Sequence, residues 1–374
     1  MNRSKQTIPI AKPELDETEI AAVSEVIRSG WIIQGTRVLE FERAFAEYVG
    51  APEAIAVSSG TAALHLALYA ANCGPGDSVI CPSYSFIASA NVIRYCGAEP
   101  IFVDIDRQTC NINPALLAEV CQSNTKAILA VHQVGLPAPL DEIIAFAKRH
   151  NLIVIEDAAC AIGSQYRGQR IGKPHTLAAC FSFHPRKIIT TGDGGMITTA
   201  DHKLAERMRC LRQHGVGKAG EGYLEVGFNY RLTDMQAALG VEQLKKLPIM
   251  LAHRREQAAR YTAAFQGRRG LAVPVESPQT VSNFQSYQLR IEPTAPITRD
   301  QLLQELIARG INAQPGITPI HLESIYADIA KAPLPETVQA AREIIMLPIY
   351  HSLTYQQQDF IIDSILELLE EQNS

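Results

Sequence analysis

The chain has 374 residues, room for two domains or one large and one small, and a core needing neither disulfides nor metals. Its 47% hydrophobic and 20% charged residues are ordinary for a soluble globular protein. Thirty-four Lys and Arg against 39 Asp and Glu leave a net charge of −5, which excludes an electrostatic footprint for nucleic acid or an anionic membrane but not a small anionic ligand.

From residue 54 to 200, short apolar runs alternate with helical patterns. AIAV (54–57) leads through SSGT into the helix-like TAALHLALYAA. SVICPS, PIFVDI, KAILAVH and LIVIEDAA read as strands, with FIASANVIRYC, PALLAEVC and LDEIIAFAKRH as helices between them. LAACFSF and GGMITT read as two more strands, joined by a loop with three glycines. Short apolar strands separated by helices predict an α/β fold with a mostly parallel, seven-stranded-type sheet covered on both faces. After residue 200 come the helices ADHKLAERMRCLRQ and TDMQAALGVEQLKKL, the second continuing across Pro248 towards residue 266. A smaller α+β part follows: a strand at 287–291, a helix at 299–310, a loop rich in Pro and Gly, a helix near 336–346 and a last helix from Tyr355 towards Glu370. The expected domains are 1–250, large, and 251–374, small.

No apolar run approaches the roughly 18 residues that span a bilayer. Residues 1–12 are charged and lack the apolar core of a secretory signal. The eight cysteines form no C-x-x-C pair and several stand in apolar runs, so they read as reduced thiols of a cytoplasmic protein, with no metal site.

In open α/β sheets ligands bind beyond the carboxyl ends of the strands. LIVI ends in Glu156-Asp157, acids that serve as surface charge, helix cap or functional carboxylate. AIAV ends in Ser58-Ser59-Gly60-Thr61 at a helix start, which suits either a cap or a phosphate. CFSF runs into His184-Pro185-Arg186-Lys187. A phosphate cup, a carboxylate at a neighbouring strand end and a lysine about 30 residues later are together what pyridoxal phosphate requires: a Schiff-base amine, a partner for the pyridine nitrogen and a helix terminus for the phosphate. The rival nucleotide motifs G-x-x-x-x-G-K-[ST] and G-x-G-x-x-G are absent from the sequence.

VSSGTAALHLAL, CPSYSFIASANVI, AVHQVGLPAPLDEI, VIEDAACAIGS, FSFHPRKIITTGDGGMI and GFNYRLTDMQAALG stand in the order found in sugar aminotransferases of the DegT/DnrJ type. The chain resembles that group from about residue 8 through 240, with echoes at GITPIHLESIY and LPIYHSLT. The resemblance implies a fold type I pyridoxal phosphate enzyme in which Lys187 holds the cofactor and Asp157 keeps its ring nitrogen protonated. Gly60, Thr61 and Ser182 then bind the phosphate. Phe86 covers the ring on this reading, although its residue pattern alone fits plain core. Asn229 reaches the phosphate of the neighbouring subunit, which implies a homodimer with shared sites. Arg231 is either a helper there or a surface charge, and His321 is either the residue nearest the sugar or an exposed loop histidine. Two positions depart from the group's pattern. Cys160 replaces a stronger hydrogen-bonding residue beside the cofactor's phenolic oxygen, and the loop from Gln314 to His321 differs from the better-known form.

The activity implied is transamination of a keto sugar, nucleotide-linked, with glutamate or glutamine as donor and Lys187 as general base, by a ping-pong course. A sister branch that dehydrates sugars carries His in place of the lysine, and Lys187 speaks against it. Cysteine desulfurases need a cysteine in the small domain, and none follows Cys210. A non-catalytic, cofactor-binding regulator is the alternative from another class, for which neither length nor charge leaves room for a DNA-binding module.

Overall fold

The computed structural model describes residues 7–329 and 333–371. Residues 1–6, part of the stretch read for a secretory signal, lie outside them. Strands β1 (Glu53–Val57), β2 (Ser78–Pro82), β3 (Glu99–Val103), β4 (Thr125–Val131), β5 (Ile153–Asp157), β6 (Ala178–Ser182) and β7 (Gly195–Thr199) form one sheet in the order β1-β7-β6-β5-β4-β2-β3. Among these, β7 alone is reversed, pairing antiparallel with β1 and β6, and the other pairings are parallel.

Successive strand residues point to opposite faces. Ala54, Ala56, Ile128, Ala130 and Val154 enter one core with Phe41, Phe45, Phe181 and Leu247. Ile55, Val57, Ala127, Leu129 and Ile155 enter the other with Leu64, Leu66 and Met208. Both faces are covered, which is why these strands are apolar throughout rather than alternating. In the first core Phe45 meets Phe181 and Phe183 at centroid separations of 5.0 and 5.7 Å. Each such buried ring contributes roughly 1.5–3 kcal/mol of transfer free energy. The cysteines are unpaired, and burial pushes the Cys73 thiol to about 11 and those of Cys81 and Cys180 higher still.

Two helices outside the pattern read from the sequence, Glu17–Ser29 and Thr36–Val49, precede β1. The first opens on a capping box of Asp16 and Glu19. The second has Gly35 at its N-cap and no local side-chain cap. Asp234 supplies the cap instead, accepting from the N–H groups of Gly35, Arg37 and Val38 at 2.8, 3.3 and 3.0 Å. Asp234 itself starts the 32-residue helix Asp234–Phe265, which continues through Pro248. Leu244, Leu247 and Leu251 of that helix pack in the large core, Ala258, Tyr261 and Phe265 in the small one. The boundary expected at residue 250 therefore falls inside a helix that both domains share, and Ile8 from the chain start also joins the small core.

The small domain holds Leu271–Ala272, Tyr287–Ile291, Ile344–Leu347 and Gln314–Pro315, in that order, as an antiparallel sheet. Helices Arg299–Ala308 and Tyr355–Glu371 pack with it. The helix expected to reach 346 stops at Glu343, because Ile344 to Leu347 find strand partners on both sides. PALLAEVC likewise shortens to a 3-10 turn, Pro114–Leu116, and one turn of α-helix, Leu117–Val120. Gln165–Tyr166, Gln169–Arg170 and Thr280–Val281 form a further three-stranded sheet. Among the described residues no helix is long and apolar enough to cross a membrane, and no group of three or more His, Cys, Asp or Glu is placed to hold a metal ion.

Arg212 and Glu42 form a buried ion pair that ties the helix Thr36–Val49 to β1, since both also bond the backbone of Ala56. Glu42→Ala leaves the guanidinium buried without its carboxylate and should lower stability by about 3–5 kcal/mol in urea unfolding. The double variant Glu42→Ala, Arg212→Leu should recover most of that loss.

Candidate active site

Parallel strands bring their carboxyl ends to one edge. There β1 runs into Ser58–Thr61, β2 into Ser85 and Phe86, β4 into His132 and Gln133, β5 ends at Asp157, and β6 ends at Ser182 shortly before Lys187. The small domain covers this edge with Gln285, Ser286, Met346 and Ile349, and the chain start adds Ile10 and Ala11. These groups enclose a cavity of about 570 Å³ whose walls include Gly60, Thr61, Phe86, Asp157, Cys160, Ser182 and Lys187.

Asp157 is 6% exposed. Its Oδ2 accepts from Ser89 Oγ at 2.8 Å, and its Oδ1 from the Ala159 N–H at 3.2 Å. Ser85 Oγ stands 2.8 Å from Ser89 Oγ and braces it from the preceding turn. Burial pushes the Asp157 carboxyl above the usual range, while the two hydrogen bonds and the nearby Lys187 pull the other way. Its neighbour Glu156 is neither a surface charge nor a cap. At 1% exposure it accepts from Thr176 Oγ1 at 2.6 Å and meets His132 Nε2 at 2.8 Å. His132 Nδ1 accepts from the Ala138 N–H, which leaves Nε2–H to donate to Glu156.

Lys187 follows a turn closed by its N–H to His184 O at 2.8 Å. Its Nζ donates to Cys160 Sγ at 3.0 Å, so the thiol that departs from the group's pattern touches the lysine. The helix Gly60–Ala70 presents its N-terminus to the same cavity. Ser59 caps it, accepting from the Ala62 N–H at 3.0 Å, and the first-turn N–H groups of Gly60 and Thr61 have no intrahelical acceptor. A Cβ on Gly60 would stand 2.7 Å from Ser182 Cβ, and one on Gly195 would stand 2.4 Å from Ser59 O. Glycine at both places lets the three strand ends converge on this helix terminus. Phe86 is 73% exposed, which excludes the plain-core reading and leaves its ring presented to the cavity.

These residues fit pyridoxal phosphate. The lysine amine suits the aldehyde, and a buried carboxylate with no ion-pair partner among the described residues suits the ring nitrogen. A helix N-terminus flanked by the hydroxyls of Ser59, Thr61 and Ser182 suits the phosphate.

Three of the residues singled out in the sequence stand apart from this cavity's walls. Asn229 is exposed and accepts from Arg231 Nε at 3.1 Å, and Arg231 NH2 lies 3.4 Å from His214 Nε2. His321 is half-buried, its Nδ1 2.7 Å from Ser83 Oγ, and burial lowers its pKa. Conversely, Ser89 and Gln285 line the cavity without having been singled out, and Ser59 of the predicted cup serves as the helix cap.

The profile of the DegT/DnrJ/EryC1/StrS aminotransferase family matches residues 13–366. The chain is 41% identical over 368 residues to the GDP-perosamine synthase of Caulobacter vibrioides, covering 97% of this chain and 98% of that one. Among solved structures, DesV of S. venezuelae in complex with a ketimine intermediate is similar with a TM-score of 0.92 at 36% identity, covering 97% of this chain and 99% of that one. The PLP-form of Spr1654 from Streptococcus pneumoniae is similar with a TM-score of 0.91 at 29% identity, covering 98% and 99%.

Because burial raises the Asp157 pKa, the cofactor-free protein loses stability as pH rises from the ordinary carboxylate value through the raised one. Asp157→Asn removes that loss. In thermal unfolding without cofactor it should be more stable than the parent at neutral pH, and the advantage should vanish below about pH 4.

Proposed function

The chain belongs to the DegT/DnrJ/EryC1/StrS aminotransferase family and is a pyridoxal phosphate-dependent sugar aminotransferase; from that premise we propose that its acceptor is a nucleotide-linked keto sugar, its donor glutamate or glutamine, and its working form a cytoplasmic homodimer. The single observation that carries the site assignment is the shared cavity of Lys187, Asp157 and the Gly60 helix terminus.

Bound pyridoxal phosphate supplies an electrophilic carbon and a sink for the charge left when a donor's α-proton departs. Lys187 Nζ is the amine that would hold that carbon and, once freed, would serve as the base for the donor's α-proton. Cys160 Sγ lies where it receives an N–H of the freed amine. Asp157 would keep the ring nitrogen protonated, and Ser89 and the Ala159 N–H fix the carboxylate's orientation. The N–H groups of Gly60 and Thr61, with Ser182, hold the phosphate.

The nucleotide-linked substrate is supported by the relative named for a GDP-linked product and by exposed Arg186 and His184 on the cavity wall, where a cation meets a diphosphate. The dimer is supported by exposed apolar side chains, Trp31, Tyr223 and Val226 at 61%, 77% and 83% exposure. Asn229, with Arg231 beside it, is exposed on the loop that Ser58 N–H ties to the cradle through Tyr230 O at 2.8 Å, and it would reach the cofactor phosphate of a second copy. Eight unpaired thiols suit a reducing compartment.

Glutamate or glutamine added to the cofactor-loaded protein should bleach its visible absorption, and a nucleotide-linked keto sugar should restore it. Lys187→Ala should bind cofactor without a covalent bond and lose turnover by at least about 10²- to 10⁴-fold. Retained turnover would remove Lys187 from the mechanism.

A further inference from the structure

Lys187 projects from a loop between β6 and β7, outside any helix or strand, so something other than the sheet has to place its backbone. The candidates lie in the small domain, in Asn283, Phe284 and Gln285 just ahead of the strand Tyr287–Ile291. Gln285 is 8% exposed, and its carboxamide spans the lysine. Nε2 donates to Arg186 O at 2.6 Å, and Oε1 accepts from the Ile188 N–H at 3.1 Å. Asn283, fully buried, does the same for the neighbouring loop: its Nδ2 donates to Cys160 O and Ile162 O, both at 2.8 Å. Its Oδ1 accepts from the Gln285 N–H at 2.8 Å, which links the two carboxamides. One short segment thereby grips both loops whose side chains meet at the contact of Lys187 Nζ with Cys160 Sγ.

The segment is itself held. Phe284 sits at φ 49°, a conformation that L side chains rarely adopt. Buried Arg254, on the helix shared by both domains, donates to Phe284 O at 3.3 Å, Gln285 O at 3.4 Å and Ile349 O at 2.8 Å. Burial pulls its pKa down to about 10, so the guanidinium stays charged at neutral pH and its bonds are charge-assisted.

We infer that Gln285 is a positioning residue, whose two bonds to the peptides flanking Lys187 fix the backbone from which the reactive amine projects and tie it to the small domain. The inference rests on the role proposed above for Lys187. It matters because proton transfer depends on reach: a displacement of about 1 Å costs on the order of 10²-fold in rate.

The test uses cofactor-loaded protein and three variants, Gln285→Ala, Gln285→Glu and Leu289→Ala. The last removes buried side chain from the small core without touching the loop. Gln285→Ala should speed hydrogen exchange of the Ile188 amide at least about tenfold and slow the glutamate half-reaction about 10- to 100-fold, with little change in the glutamate concentration for half-saturation. Gln285→Glu keeps the acceptor for Ile188 but sets a carboxylate against Arg186 O; its half-reaction should fall between the two, and it serves alone if the alanine variant does not fold. Leu289→Ala should lower thermal stability and leave both readouts at parental values. Parental exchange and rate in the Gln285 variants, or the same losses in Leu289→Ala, would overturn the inference. Borohydride trapping on the parent is scored separately. If it labels no Lys187, the proposed role of the lysine fails, while the exchange data still judge the clamp.

Discussion

A carboxylate buried at the end of a central strand is unfavourable by itself, and much of the active edge is arranged around that fact. Burial raises the Asp157 carboxyl above its ordinary range, and the bonds from Ser89 and the Ala159 N–H offset that only in part. Among the described residues no cation forms an ion pair with it. On the proposed reading a protonated ring nitrogen would face this carboxylate, and each charge would favour the other. Its neighbour Glu156 faces the same constraint and meets it differently, with His132 and Thr176 as permanent partners. Two adjacent acids on one strand thus differ: Glu156 has a histidine partner, and Asp157 has hydrogen bonds from Ser89 and the Ala159 N–H alone.

The domains meet through polar bonds as well as apolar packing. The shared helix places Leu247 in one core and Tyr261 in the other, and between them Arg254 bonds the backbone of the segment that grips the Lys187 loop. Core packing specifies where the small domain sits. The carboxamides of Asn283 and Gln285 convert that placement into the position of individual peptides. Carboxamides suit this task because each offers a donor and an acceptor without a charge to desolvate.

Much of the large domain was legible because its strands are buried on both faces. Apolar runs mark them, and the first polar residues after each run, 58–61, 156–157 and 182–187, mark the active edge. What was hidden depends on distant partners. Asp234 caps a helix near the chain start, so the helix Thr36–Val49 begins with no local signal. Ile344 and Ile345 adjoin a helical pattern and become strand because Tyr287–Ile291 and Gln314–Pro315 lie on either side of that segment. Gln285 stands in a turn with no periodicity, and its two acceptor and donor partners lie about a hundred residues earlier in the chain. Phe86 illustrates the opposite case: its apolar neighbours read as core, and only the geometry shows the ring to be exposed.

Charge completes the picture. The whole chain is acidic at −5, yet the cavity wall beside Lys187 carries Arg186, and Arg186 is exposed with its NH2 donating to Gln314 Oε1. An anionic substrate approaching from solvent meets that local field rather than the net charge, because screening removes contributions from beyond roughly 8–10 Å at physiological salt. The Gln314 contact matters here. It joins the short edge strand Gln314–Pro315 of the small domain to the residue preceding Lys187, on whose carbonyl Gln285 also acts. Arg186 is therefore held through its side chain and its backbone by different parts of the small domain, so the cation that would greet a substrate and the amine that would act on it share one mechanical support.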